Sequence, residues 1–110
     1  MPVDPSDDVF KALADASRRR LLDRLHATDG QSLGDLCAGL AMTRQAVAKH
    51  LAILEAANLV VSKRKGREKL HYINPVPIHE IAERWISKFD QPRLGALSAV
   101  KRRLEGEHHD

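Results

Sequence analysis

The sequence predicts a mainly α fold with one β-hairpin, in the layout of a winged helix-turn-helix. Three observations carry that prediction. Two short helical stretches, "SLGDLCAGL" and "TRQAVAKHL", follow one another across a brief turn. The apolar period then drops from about 3.6 to about 2 over "LVVSKRK" and "EKLHYIN". After Pro75 and Pro77 it returns to helical spacing.

Length and composition set the frame. A chain of 110 residues is read as a single domain over 1–110 with one core, small for a cleft between two lobes. Its 43% apolar and 30% charged residues are those of a globular protein in water, and no apolar run approaches the roughly 18–20 residues of a membrane span. The opening "MPVDPSDD" is acidic and lacks the apolar segment of a signal peptide. One cysteine, Cys37, rules out an internal disulfide and fits a reducing cytoplasm, the expected location.

Each element follows from local chemistry. Asp4, Pro5, Ser6 and Asp7 read as a helix start, since carboxylates are favourable at the positive end of the helix dipole. Val9, Phe10 and Leu13 then mark an apolar face. A second helix is predicted over 15–27, with Leu21, Leu22 and Leu25 at helical spacing and Asp15 or Ser17 as its cap. These N-terminal helices occupy 7–27, and "TDGQS" is a turn stopping the second at Gly30.

Residues 32–57 form the helix-turn-helix. Leu33, Leu36, Cys37 and Leu40 share one face, and a short turn at Ala41 and Met42 leads to Thr43, a helix cap. The following helix points Val47, Leu51 and Leu54 inward and ends near Asn58, a residue suited to a left-handed cap. A hairpin wing is predicted over 59–74, turning at Gly66. Beyond it, 76–105 holds C-terminal helices with apolar Ile78, Ile81, Trp85, Ile86 and Phe89, a new start at 90–92, then Leu94, Leu97, Val100 and Leu104.

The charge is unevenly spread. The net charge is only +3, yet the 44 residues between Asp35 and Glu80 contain two acids, Glu55 and Glu68, where the chain average predicts about six. From Thr43 to His71 there are seven Lys and Arg against those two acids. Such a basic middle suits a polyanion. On "TRQAVAKHL" the outer side carries Gln45, Ala48, Lys49 and Ala52. A merely solvated face would mix Glu with Lys in intrahelical pairs. Here small Ala residues let the helix axis approach a surface while Arg44, Gln45 and Lys49 reach base edges or phosphates of double-stranded DNA. Thr43 and the first-turn amides suit a phosphate oxygen, and His50 is placed beside the DNA. The turn "KRKGREK" has five cations and one acid, more than solubility requires, so Lys63, Arg64 and Arg67 are assigned to the sugar-phosphate backbone or minor groove.

Taken together, "LADASRRRLLDRL", "LGDLCAGLAMTRQAVAKHLAILEAANLV" and "KGREKLHYI" resemble the ArsR family of dimeric bacterial winged-helix repressors over roughly residues 8–75. The resemblance implies a homodimer on a pseudo-palindromic operator, often its own promoter, with bases read at the start of "TRQAVAKHL". Arg44 and Gln45 stand where the family pattern commonly has small polar residues, so the operator sequence does not carry over. The stretch after Pro75 looks like the branch associated with lipid- or hydrophobe-binding partner genes rather than metal resistance. The dimer surface is assigned to Val9, Phe10, Leu13, Ile78, Ile81, Trp85, Phe89 and Leu97, more apolar surface than one small core covers.

Other chemistries fare worse. Family members that sense metals through paired thiols have two cysteines where "DLCAGL" offers one, and a lone thiolate makes no tight soft-metal site. Cys37 is read as a core residue beside Leu33, Leu36 and Leu40. The family's other metal site needs a second His beyond His79, Glu80 and Glu83. His26 suits a helix end, His50 and His71 a DNA-proximal or structural role rather than metal ligation, and His108 and His109 a tail. No metal and no cofactor are expected. Nothing beside Cys37 resembles an oxyanion or phosphate loop, so the chain is not read as an enzyme. Two alternatives stay open: a winged-helix adaptor that binds protein without DNA, and a small hydrophobic effector held near Ile81, Trp85 and Phe89.

Overall fold

The computed structural model describes residues 4–89 and 100–104. The order is α1 (Pro5–Leu13), α2 (Ala16–Ala27), α3 (Leu33–Cys37), α4 (Arg44–Ala56), β1 (Val60–Lys65), β2 (Glu68–Ile73) and α5 (Val76–Lys88). Residues 100–104 are helical. The chain divides into two compact units, 1–79 and 80–110, with the boundary inside α5. No helix of the described residues is long and apolar enough to cross a membrane.

Side-chain oxygens start each of the first four helices. Asp4 accepts from Ser6 N at 3.0 Å, with Pro5 pre-set for the first turn. Asp15, rather than Ser17, caps α2, accepting from Ser17 N at 2.8 Å and Arg18 N at 3.1 Å. The Arg18 N–H bond, with the guanidinium of the same residue, holds the Asp15 carboxyl below its usual range. Ser32 and Asp35 form a capping box at α3, and Thr43 Oγ1 accepts from Ala46 N at 3.0 Å at α4.

The core of the first unit is aliphatic. Leu21 and Leu25 from α2, Leu36 from α3, Val47 and Leu54 from α4, and Leu59 and Val60 entering the hairpin are the largest fully buried side chains. Arginines tie the helices around it. Arg18 donates to the carbonyls of Lys11 and Ala12 at the end of α1, and Arg24 donates to those of Asp35 and Ala38 at the end of α3. Both add donors to carbonyls at or just past a helix end, where intrahelical partners run out.

β1 and β2 pair antiparallel from Val60 opposite Ile73 to Lys65 opposite Glu68. The base of this hairpin is fastened to the turn before α3. Gln31 and His71 form a further antiparallel bridge, Asp29 Oδ1 accepts from Ile73 N at 2.9 Å, and Asn74 reaches the carbonyls of Asn58 and Leu59. This bridge brings the stretch read as a bare turn into the sheet. Gly30 makes it fit: its φ is +76°, and an added Cβ would lie 3.2 Å from the Tyr72 ring. Gly30→Ala is therefore expected to cost about 1–2 kcal/mol from the left-handed backbone alone. Denaturant unfolding measures it, and an unchanged midpoint would contradict the assignment.

Several expectations need correction. α3 ends at Cys37 rather than running to Leu40, because Ala38 turns extended (ψ 126°) and Gly39 takes φ +79°, so the link to α4 is longer than a short turn. Cys37 is half-buried instead of sealed in the core. Val9 is 4% exposed and packs within its own unit beside Ala12, which leaves it no surface to offer a partner. Phe10, on the other side of α1, is 47% exposed, and Leu13 is half-buried. Asn58 does take the left-handed conformation, φ +62°. Leu94, Leu97 and the expected helix start at 90–92 lie outside the described residues.

Candidate nucleic-acid interface

The inward positions of α4 fix which side it shows to solvent. With Val47, Leu51 and Leu54 buried, Arg44, Gln45, Ala48, Lys49 and Ala52 are all exposed. The Thr43 hydroxyl accepts from the backbone and keeps its own O–H to donate outward. The first turn of α4 contains no acid, so its free amides meet no internal carboxylate. His50 does not join this face. It stands half-buried with Nδ1 3.4 Å from Arg18 Nη1, three residues after Val47 and therefore toward the core side.

The wing concentrates cations at its tip. Gly66 (φ +65°) and Arg67 make the two-residue turn between β1 and β2, and Lys63, Arg64, Lys65, Arg67, Glu68 and Lys69 are exposed. Register places Arg64 directly opposite Lys69. Like charges facing across a ladder are destabilising, so the hairpin gives up stability to gather positive charge.

Between α4 and the wing lies a cleft of about 500 Å³. Arg44, Ala48, Leu51, Ala52 and Glu55 form its α4 wall, and Arg67, Glu68, Lys69 and His71 its wing wall. Ser32, Leu33 and Gly34, at the start of α3, close it. The structure thus brings Arg44 and Arg67 to opposite sides of one depression. Thr43, Gln45, Lys49, Lys63 and Arg64 are exposed beyond those lining it.

Three residues of this region escape sequence reasoning about contacts. His71 is 4% exposed, with Nδ1 2.9 Å from the Gln31 carbonyl. Its Nε2 is 3.7 Å from Glu55 Oε1, and Lys69 Nζ is 3.4 Å from the same oxygen. The signal available was strand alternation, which puts residues 69 and 71 on one face, together with Glu55 as a lone acid in a basic stretch. Among the described residues no three His, Cys, Asp or Glu side chains are grouped to hold a metal ion.

Comparison with known proteins agrees with this geometry. A helix-turn-helix domain model matches residues 13–63, from the end of α1 into β1. The chain is 42% identical to the uncharacterized HTH-type transcriptional regulator YuzN of Bacillus subtilis (strain 168), over 73% of this chain and 94% of that protein. It is 30% identical to the solved structure of an ArsR-like transcriptional regulator from Rhodococcus sp. RHA1, covering 96% of this chain and 93% of the other, with a TM-score of 0.67. A homodimeric winged helix-turn-helix DNA-binding domain from Mycobacterium bovis shares the fold, with a TM-score of 0.59 at 21% identity over 97% of this chain and 83% of that one. Cap chemistry, core, wing and relatives lead to one statement: the chain belongs to the ArsR family of winged helix-turn-helix transcriptional regulators.

Proposed function

We propose that the chain acts as a homodimeric repressor, reading a pseudo-palindromic operator with α4 and gripping its phosphates with the wing. One observation supports this above the rest: Arg44 of α4 and Arg67 of the cationic wing line a single cleft within one compact unit, and the exposed residues of α4 beside it include no acid. Thr43, Arg44, Gln45 and Lys49 are assigned to the major groove, and Lys63, Arg64 and Arg67 to the backbone. His50 is assigned instead to the α2–α4 junction.

The dimer surface is assigned to Phe10, Leu13, Ile78, Ile81, Trp85 and Phe89. Support comes from α5, which has no buried residue although Val76, Ile78, Trp85 and Ile86 are large and apolar. Phe10 of α1 and Phe89 just past α5 are 47% and 48% exposed. The homodimeric state of the Mycobacterium bovis domain is in line with this. Repression then follows by occlusion, because a dimer seated on a promoter excludes other proteins from it.

Selection from a random pool of duplexes by the full-length protein tests the reading. The enriched sequences should carry an inverted repeat with half-sites about 10–10.5 base pairs, one helical turn, apart or a multiple of that. Placed upstream of a reporter, they should lower its expression when the protein is present. A pool that stays random after repeated rounds would favour a protein-binding adaptor.

A further inference from the structure

We propose that Glu55 is a specificity-determining residue: it holds the wing cation Lys69 off the phosphates of non-cognate DNA. The inference rests on the DNA-binding reading above and deepens it.

Glu55 is the one acid between Asp35 and Glu68, and it sits at the inner end of the α4 wall that begins with Arg44. Its neighbours Leu51 and Leu54 are buried, so the helix holds it in place. Oε1 of Glu55 is buried and has no hydrogen-bond partner. The charge nearest to it is Lys69 Nζ at 3.4 Å, an ion pair without hydrogen-bond geometry. His71 Nε2 lies farther off, at 3.7 Å. A carbonyl only accepts, so the 2.9 Å contact with Gln31 O places a proton on Nδ1 and commits that nitrogen to Gln31.

Lys69 is the movable member. Its side chain is 52% exposed, and across the ladder it faces the like charge of Arg64. Swinging Lys69 out to a phosphate would leave a buried carboxylate oxygen without its nearest counter-charge and without a hydrogen-bond donor, which is costly. On random DNA nothing offsets that cost, so Lys69 stays with Glu55. On the cognate duplex the base contacts of α4 draw the backbone into the cleft, and the exchange becomes favourable. Glu55 thereby withholds one phosphate contact from wrong sequences and permits it on the right one.

The test measures affinity against salt for the wild type, Glu55→Gln, Lys69→Ala and the double variant. Two probes are used: a random-sequence duplex and the tightest duplex from the selected pool. On the random duplex, Glu55→Gln should steepen the slope of log K against log salt by about 0.9, the value of one added phosphate contact. That slope corresponds to a gain of roughly eightfold per decade of salt. On the selected duplex the gain should stay below about twofold, so selectivity falls, and Lys69→Ala should cancel the gain on random DNA. Alone, Lys69→Ala should leave the random-duplex slope unchanged, a result that does not depend on how Glu55→Gln folds. The inference is overturned if Lys69→Ala by itself flattens that slope by a full contact. Equal weakening of both duplexes by Glu55→Gln at constant slope, the signature of a purely structural role, also overturns it. A wild type that binds no duplex at low salt would remove the DNA-binding reading and this inference together, whereas binding that ignores Glu55→Gln removes the inference alone.

Discussion

Arg44→Ala should weaken binding to the selected duplex by about 1–3 kcal/mol, or roughly 5- to 150-fold, and relax its sequence preference at one or two positions. Arg44 is the first residue of α4, immediately after the Thr43 cap, and is exposed. Ala48, one turn on and also exposed, leaves room for the helix to sit deep in a groove. Alanine is a better helix former than arginine, so the substitution should not unfold α4, and lost affinity reports lost contact. Arg64→Ala provides the contrast. A phosphate contact carries no sequence information, so that variant should weaken all duplexes alike and reduce the salt slope by about 0.9. Gln45→Ala should resemble Arg44→Ala. Two affinity series, one on the selected duplex and one on random DNA, separate the two signatures. Should Arg44→Ala and Gln45→Ala both keep the parent's sequence preference, α4 is not the reading element.

Where the sequence was legible, the deciding chemistry was local. Asp4, Asp15 and Thr43 cap helices because their oxygens reach amides two or three residues ahead, and Gly66 turns the hairpin because its backbone takes φ +65° without penalty. The outer strip of α4 followed from helical periodicity alone. What escaped depends on distant partners. The Gln31–His71 bridge joins residues 40 apart, and no local pattern announces a third strand partner one residue long. His50 looked like part of the basic face until Arg18, drawn in by the carbonyls that end α1, occupied the space beside it. Val9 and Phe10 are adjacent and both apolar, yet one is buried and the other exposed, because helical geometry turns neighbours about 100° apart. The end of α3 was misjudged for a related reason. Leu40 continues the apolar spacing, but Gly39 ahead of it breaks the helix.

Trp85→Glu should convert a dimer into a monomer and lower affinity for the full inverted repeat by about 10²–10⁴-fold. The loss is that large because a dimer makes the second half-site an intramolecular event, with an effective concentration far above that of free protein. Trp85 is 47% exposed on α5, where no residue is buried, so the substitution removes nothing from the core of the first unit. Its ring lies 4.3 Å from Lys88 Nζ, a cation–π contact beside which nearly half of the residue stays exposed to another partner. If that partner is a second copy, a carboxylate introduced at this point becomes a buried charge without a counterion, among the costliest changes an interface can suffer. Sedimentation equilibrium at micromolar concentration should show the change in mass, and far-ultraviolet circular dichroism should show the helices retained. Affinity for a single half-site should barely change, since α4 and the wing belong to the other unit. That half-site measurement distinguishes lost pairing from lost folding. A Trp85→Glu protein that stays dimeric would move the interface elsewhere, and a monomer that still bound the full repeat tightly would mean that pairing is not what holds this protein on DNA.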